Sequence, residues 1–467
     1  MLFSIPTTVE HNILTTVSQA LDQAGFAKEA HLGVALSGGA DSVALLMALQ
    51  RCGYNVEALH CNFELRGRES DADEAACRRL CRNEGIALTV KHFRTRAYAT
   101  RQAISIEMAA RQLRYAWFAE MAEAHALDAV CVAHHRDDNV ETMLLNLIRG
   151  TGIHGLTGMD MLTRRDDGLC IVRPLLDVAR ADIELWLREQ GLTWQTDSTN
   201  LQPDAAMRNA IRLRLLPLME TMNPAVRQTL ADTMRRLGDA ATLYDEAAAR
   251  AKAEVTTTQG AYTAIDIQAL LRQAAPATVL FELLKPYGFN ADVVADIMAH
   301  IHGQPGHVWQ GSRGARLLRD RGRLLIDDAT SGSAPTATDM PTAPAVLPLE
   351  GRLSVDGVTI AVSRQVVDVE FAIPRQGDVA CFDMSGLQLP LTVRRVQEGD
   401  RFRPFGMEGT RLVSDLLTDA KVSLFERERQ MVVLSADEII WVVGRRAAAG
   451  HEVTAATRHA MVLRRVQ

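Results

Sequence analysis

No run of about eighteen apolar residues occurs in the chain, so no transmembrane helix of ordinary length is expected. The first residues lack a basic stretch followed by an apolar core, so no secretory leader is expected either. Cysteine is sparse and scattered: seven residues, at 52, 61, 77, 81, 131, 170 and 381, with no Cys-x-x-Cys pair. An odd set of this kind argues against a disulfide framework or a zinc ribbon and fits a reducing, cytoplasmic setting. Positive charge is in deficit, with 51 Lys and Arg against 57 Asp and Glu and a formal net charge of −6. As an average, that balance speaks against a nucleic-acid partner. The string Gly-x4-Gly-Lys-Ser/Thr is absent as well, which excludes a Walker-type phosphate loop.

What is present is unevenly distributed. Residues 311–323 (GSRGARLLRDRGR) carry five Arg against one Asp, Arg208, Arg212 and Arg214 fall close together, and Arg464 and Arg465 stand near the end. Such runs serve either as solvated faces or as a phosphate-binding footprint. The 467 residues, 47% hydrophobic, exceed one compact core and predict two or three domains. The first half alternates short apolar strands (32–36, 56–60, 87–92, 129–134) with helices (41–50, 69–83, 107–124, 138–148). That alternation predicts a parallel sheet covered by helices on both faces, with ligands at the carboxyl ends of its strands. Beyond Pro224 the pattern turns helical, over 225–255 and on to about residue 302. Residues 329–348 are rich in Ala, Thr, Pro and Ser and read as a linker. Short β-like runs at 358–362, 391–396 and 439–443 then suggest a small mixed α/β domain.

The string Ser37-Gly38-Gly39-Ala40-Asp41-Ser42 follows the first strand and opens the first helix of that alternation. Two glycines let the backbone turn sharply and bring amides against an anion. The helix start adds unpaired N–H groups and the positive end of its dipole. Ser37 and Ser42 supply hydroxyl donors. Asp41 is at odds with a phosphate unless Mg²⁺ bridges the two. The competing reading is a plain strand-to-helix turn with a polar cap, but the full string is far more specific than Gly-Gly alone. Gly150-Thr-Gly152-Ile-His-Gly155 matches Gly-x-Gly-x-x-Gly, yet it trails a helix rather than opening one, so it is no dinucleotide fingerprint.

A second candidate cluster, His134-His135-Arg136-Asp137-Asp138-Asn139-Val140-Glu141, follows the fourth strand. Asp138 and Glu141 share a helix face and could hold Mg²⁺, bind an amine or take its proton; the same spacing also serves as a helix cap. On the helix 107–124, Glu107, Arg111 and Arg114 share one face, either as ion-paired surface or aimed at developing phosphate charge.

SGGADS resembles the signature of the PP-loop ATP pyrophosphatases, which split ATP between its α and β phosphates. Further strings narrow the likeness: ARQLRYAWF, AHHRDDNVETMLLNLIRGTGIHGLTGM, RPLL at Arg173–Leu176, WQTDSTN at Trp194–Asn200, and Arg208-Asn209-Ala-Ile-Arg212 with Pro217. Together with Glu398-Gly-Asp-Arg401-Phe-Arg403-Pro and Ile440-Trp441-Val-Val-Gly444, they resemble the tRNA(Ile)-lysidine synthetase family over most of the chain. The resemblance implies an α/β fold: a parallel-sheet, Rossmann-like PP-loop domain at 1–220, a helical tRNA-binding domain at 221–330, a linker at 331–348 and a small α/β tRNA-binding domain at 349–467. It implies ATP and Mg²⁺ as cofactors, and L-lysine and an isoleucine tRNA with a CAU anticodon as partners, with monomer or homodimer left open. The loop Ser37, Gly38, Gly39, Ala40, Asp41 and Ser42 would bind ATP, and Asp41 and Asp138 the metal. Asp41, Asp138, Glu141, His134, His135, Arg111 and Arg114 form the candidate catalytic set. Arg316 and Arg319 would grip the tRNA.

Two departures stand out. Phe63 falls where the family commonly has a histidine, and Lys421-Val-Ser423 replaces Lys-x-Pro. Rival readings are another PP-loop enzyme, such as a tRNA thiolase or an amide-forming synthetase, and a tRNA-binding protein with an inactive nucleotide fold.

Overall fold

Leu32, Gly33 and Val34 are all buried in β1 (His31–Ala35), the strand from which the functional loop departs. The computed structural model describes residues 8–195, 207–328, 344–368, 371–373 and 376–466. Residues 196–200 of the WQTDSTN string and 331–343 of the expected linker lie outside them. The chain divides into two units, Met1–Tyr244 and Asp245–Gln467.

In the first unit, α1 (Thr8–Gln23) precedes β1, followed by α2 (Ala40–Arg51), β2 (Asn55–Asn62), α3 (Arg68–Glu84), β3 (Ala87–His92) and α4 (Thr95–Gln102). Next come α5 (Ile106–Ala124), β4 (Ala129–Cys131), α6 (Arg136–Arg149), the single turn α7 (Ile153–Leu156), β5 (Leu162–Arg164), β6 (Cys170–Val172) and α8 (Arg180–Glu189). The strands form one sheet in the order β3-β2-β1-β4-β6-β5, parallel except for β5. On one face, α1, α2 and α8 bury Val17, Leu46 and Trp186; on the other, α5 buries Trp117 and Phe118 against Val130 and Ile171. Helix α2 is buried on almost every side, which is why ADSVALLMALQR shows no polar stripe. The chain runs from β1 toward β2 and β3 in one direction and resumes at β4 on the other side of β1. The loops after β1 and β4 therefore leave side by side, at the switch point where such sheets bind ligands.

A short α9 (Met207–Ala210), a π-helical turn (Ile211–Leu215), α10 (Leu216–Met222) and α11 (Val226–Val255) follow. A π turn widens the helix and re-aims its side chains, and such turns gather at functional sites. This one carries Arg212.

In the second unit, helices α12 (Ile267–Leu271), α13 (Pro276–Leu284) and α14 (Ala291–Ala299) pack on strands β7 (Thr256–Gln259), β8 (Tyr262–Asp266), β9 (Val308–Gln310), β10 (Arg316–Asp320) and β11 (Arg323–Asp327). These strands pair in the order β7-β8-β11-β10-β9. The helices match the sequence expectation; the sheet was not anticipated, because its hairpins are short and turn on Gly260 and on Arg321-Gly322. The basic run 311–323 leads into one of these hairpins, with Arg313, Arg321 and Arg323 exposed and Arg316 and Arg319 turned to the protein. Arg319 is buried and donates to the Ile301 carbonyl at 3.0 Å, while Arg316 pairs with Asp327 at 2.9 Å and Glu428 at 3.0 Å. The remainder folds as a five-stranded and a four-stranded antiparallel sheet over a core that includes Phe382, Trp441 and Leu463. Ser423, in place of the family's proline, caps the helix Leu424–Glu428 in a reciprocal bond with Glu426.

Candidate active site

Gly38 sets the loop's shape. Its φ of +89° is the left-handed region that costs other residues strain, and a Cβ there would stand 3.3 Å from Cys77 Sγ. The Gly38 carbonyl accepts from the Gln195 amide at 2.9 Å, which ties the turn to the segment after α8. Ser42 Oγ donates to the Gly39 carbonyl at 2.9 Å, accepts from the Ser37 amide at 3.1 Å and lies 3.0 Å from Ser37 Oγ. Both hydroxyls thus sit at the mouth of α2, whose first amides, at Ala40, Asp41 and Ser42, have no carbonyl one turn back.

Asp41 projects from that first turn into charge of both signs. Burial pushes its carboxyl up, against the pull of His135 and Arg180. Oδ2 accepts from Arg180 Nη1 at 2.5 Å; Oδ1 is buried without a hydrogen-bond donor and lies 3.7 Å from His135 Nε2. His135 Nε2 is also 3.4 Å from Asp138 Oδ2, so the imidazole bridges the two carboxylates from adjacent loops. His135 caps α6: its Nδ1 accepts from the Asp138 amide, and Asp138 Oδ2 accepts from the His135 amide, both at 3.3 Å. The cap expected of Asp138 and Glu141 therefore pairs Asp138 with His135 instead. Glu141, one turn on, is 1% exposed and clamped by two arginines, Arg212 at 2.6 and 2.8 Å and Arg208 at 3.0 Å. Arg212 also reaches Asp138 Oδ1 at 3.2 Å. The bonds from Glu141 hold the Arg212 guanidinium above its ordinary proton affinity.

A cavity of about 980 Å³ opens over this cluster, lined by Ser37, Gly39, Asp41, Arg180, Arg212 and Arg227 among others. On the other side of the loop a second cavity of about 320 Å³ is walled by Leu59, Phe63, Tyr115, Phe118 and Val132, with Ser37, Asp41, Arg114 and His134 at its polar end. Arg114 lies over the Phe63 ring, which stacks on Phe93 at 5.4 Å, so the position where a histidine was expected holds an aromatic floor. Burial drives the His134 imidazole down to about 4, and its Nδ1 has no protein partner. The metal assignment meets one favourable fact, the unpartnered Oδ1 of Asp41. Among the described residues no three His, Cys, Asp or Glu side chains gather as a ligand set, so an ion here would need ligand oxygens from a bound phosphate.

Of the residues singled out from the sequence, Ser37, Gly38, Gly39, Ala40, Asp41, Ser42, His134, His135, Asp138 and Glu141 come together at the switch point, and Arg114 joins them through the smaller cavity. Arg111 lies on the exposed side of α5 over the Tyr115 ring and lines neither cavity. Sequence reasoning missed Arg180 and the pair Asp137–Arg227, and it recorded Arg208 and Arg212 only as charge and motif. Burial works to raise Asp137, but the Arg180 amide, His135 and Arg227 outweigh it and hold the carboxyl below its usual range. A usable signal did exist: two arginines four apart in RNAIR match the reach needed to grip one carboxylate.

A parallel sheet whose switch point carries Ser-Gly-Gly-x-Asp-Ser at a helix mouth defines a nucleotide-binding domain of the PP-loop class. A family model described as a PP-loop domain matches residues 7–219, and models described as the TilS substrate binding domain and the TilS substrate C-terminal domain match 258–329 and 391–463. The tRNA(Ile)-lysidine synthase of Bacteroides thetaiotaomicron is 43% identical, over 94% of this chain and 96% of its own. That of Parabacteroides distasonis is 44% identical over 92% and 94%, and that of Dehalococcoides mccartyi 31% over 92% and 93%. The chain belongs to the tRNA(Ile)-lysidine synthase family.

Proposed function

We propose that the chain attaches L-lysine to C2 of the wobble cytidine in the CAU anticodon of an isoleucine tRNA, which changes decoding from AUG to AUA. The observation that carries this reading is the Ser37–Ser42 loop at the mouth of α2, with Ser37 and Asp41 lining both cavities and an unpartnered Asp41 oxygen between them. The cytosine C2 carbonyl is a poor electrophile. Its oxygen attacks the α-phosphorus of ATP, the bond to the β,γ-diphosphate breaks, and pyrophosphate leaves into the loop. The ε-amine of lysine then attacks C2, the C2–O bond breaks, AMP departs, and the amine sheds a proton.

In this scheme the apolar walls of the smaller cavity take the adenine ring. Arg114 faces developing phosphate charge at its polar end, and His134, neutral at working pH, offers a hydrogen bond rather than a charge. Asp41 and Asp138 would hold Mg²⁺, which would supply positive charge against the phosphate oxygens. Asp138 and Glu141 on α6 both hold Arg212, Glu141 at 2.6 Å and Asp138 at 3.2 Å, so Glu141 serves to aim the arginines and the more loosely held Asp138 is the one assigned to take the proton. Burial raises the Cys61 thiol in the smaller cavity to about 12, which leaves no thiolate for sulfur transfer and disfavours the thiolase reading.

The test is direct. After incubation of the protein with isoleucine tRNA, ATP and labelled lysine, nucleoside mass spectrometry should find labelled lysidine, with AMP and pyrophosphate formed in equal amount. ADP as the nucleotide product, or tRNA binding without any turnover, would overturn the reading.

A further inference from the structure

Arg180 is absent from every role assigned so far, yet it makes the shortest contact at the site. It is the first residue of α8; its amide donates to Asp137 Oδ2 at 2.8 Å, fixing the helix start beside α6. Its guanidinium reaches back across the cavity floor, with Nη1 on Asp41 Oδ2 and Nε on Glu184 Oε1 at 2.9 Å. The side chain remains 40% exposed and faces the same cavity as Ser37 and Gly39.

These contacts place a positive group on the carboxylate assigned to Mg²⁺. The Asp41 carboxylate is mostly enclosed, and an enclosed charge needs a compensating partner. With no ion bound, a cation from the chain itself fills that place. A guanidinium and a divalent ion compete for one carboxylate, since each gains most from the full charge of its two oxygens. Glu184, four residues along the same helix, gives the guanidinium a second place to rest when it lets go.

We infer that Arg180 is a built-in stand-in for the metal: it holds Asp41 in the nucleotide-free enzyme, yields that carboxylate to Mg²⁺ arriving with ATP, and stays on Glu184, facing the phosphate end of the cavity. Loading of the ion is thereby coupled to arrival of the nucleotide, since an ion without phosphate oxygens has to displace a bonded arginine unaided. The inference rests on the proposed reading of the site, but its test does not need turnover.

Binding of Mn²⁺ as a probe to the full-length, nucleotide-free protein can be followed by electron paramagnetic resonance. Arg180→Gln should tighten Mn²⁺ binding about tenfold or more, as expected when a competing unit charge is removed. Glu184→Gln, which removes the alternative resting place, should weaken it. Arg180→Lys, which keeps the charge, should stay near wild type. Unchanged or weaker binding in Arg180→Gln, or equal tightening in Arg180→Lys, would overturn the inference. Lysidine formation by the wild-type protein from the same preparation tells such a result apart from failure of the proposed function.

Discussion

His134 sits at the polar end of the smaller cavity with its ring partly enclosed, and burial more than any charged partner lowers its proton affinity. The folded protein keeps it neutral down to about pH 4, whereas an unfolded chain protonates it near the ordinary value of 6.5. Between those two values the unfolded state binds the extra proton, so stability falls as pH drops through this window and is fully restored above it. The effect amounts to at most about 3 kcal/mol for one imidazole, at roughly 1.4 kcal/mol per pH unit. Denaturant titrations at several pH values between 7.5 and 4.5 should show this decline in the wild type and a flatter profile in His134→Gln. Parallel profiles would mean the ring is more open to water than its surroundings indicate. The neighbouring carboxylates show how residues of one type divide their labour: Asp138 caps α6 with His135 and takes one longer bond from Arg212, while Glu141, which borders the larger cavity, is clamped by two arginines. Spacing alone could not distinguish them, because both lie on the same face of α6. What separates them is Arg208 and Arg212, some seventy residues downstream.

The loop and the start of α2 act as one element. Only Gly38 takes a positive φ in the turn, and the space beside it is filled by Cys77 from α3. An alanine there would cost about 1–2 kcal/mol in backbone strain and would push the loop away from α3. Gly38→Ala should therefore lower the melting temperature by a few degrees and weaken ATP binding on the order of tenfold, both measurable by calorimetry. A variant that melts earlier but binds ATP normally would show that the turn is structural and the phosphates lie elsewhere. This element was the most legible part of the sequence, since every property it needs is local: two glycines, a buried strand before them and an apolar helix after. Helix α4, reading TRAYATRQ, gave no such signal because only Thr95 and Ala99 are buried along it. The β7–β8 hairpin hid for another reason. It follows directly on the 30-residue α11, and its strands of four and five residues are too short to display a period of two.

For the molecule as a whole, net negative charge and an RNA substrate are reconciled only if the free cations cluster, and the densest basic run turns out to be partly engaged within the protein. Arg316 joins Asp327 and Glu428, lies over the Phe425 ring, and shares Asp327 with Arg429. Arg316→Glu would set three acidic groups against one another and should destabilise the second unit by about 1–3 kcal/mol, less than the ~3–5 kcal/mol of a fully buried pair because the side chains are partly exposed. Differential scanning calorimetry should show that loss, with the KM for tRNA rising only at temperatures where the second unit begins to melt. A variant with unaltered melting and a raised KM for tRNA would return this arginine to the binding surface. The sequence could not settle this, because an arginine run reads alike whether it meets phosphate or its own chain. Long strings in fixed order carried the family assignment where charge averages could not.

Asp41 and the arginine that holds it are 139 residues apart, and the β1–β4 pairing that seats their loops side by side is itself distant in sequence. A growing polypeptide leaving the ribosome thus displays its glycine turn long before it has anything to close over it. The pocket is therefore assembled only by long-range pairing within the first unit, not by any stretch of neighbouring residues.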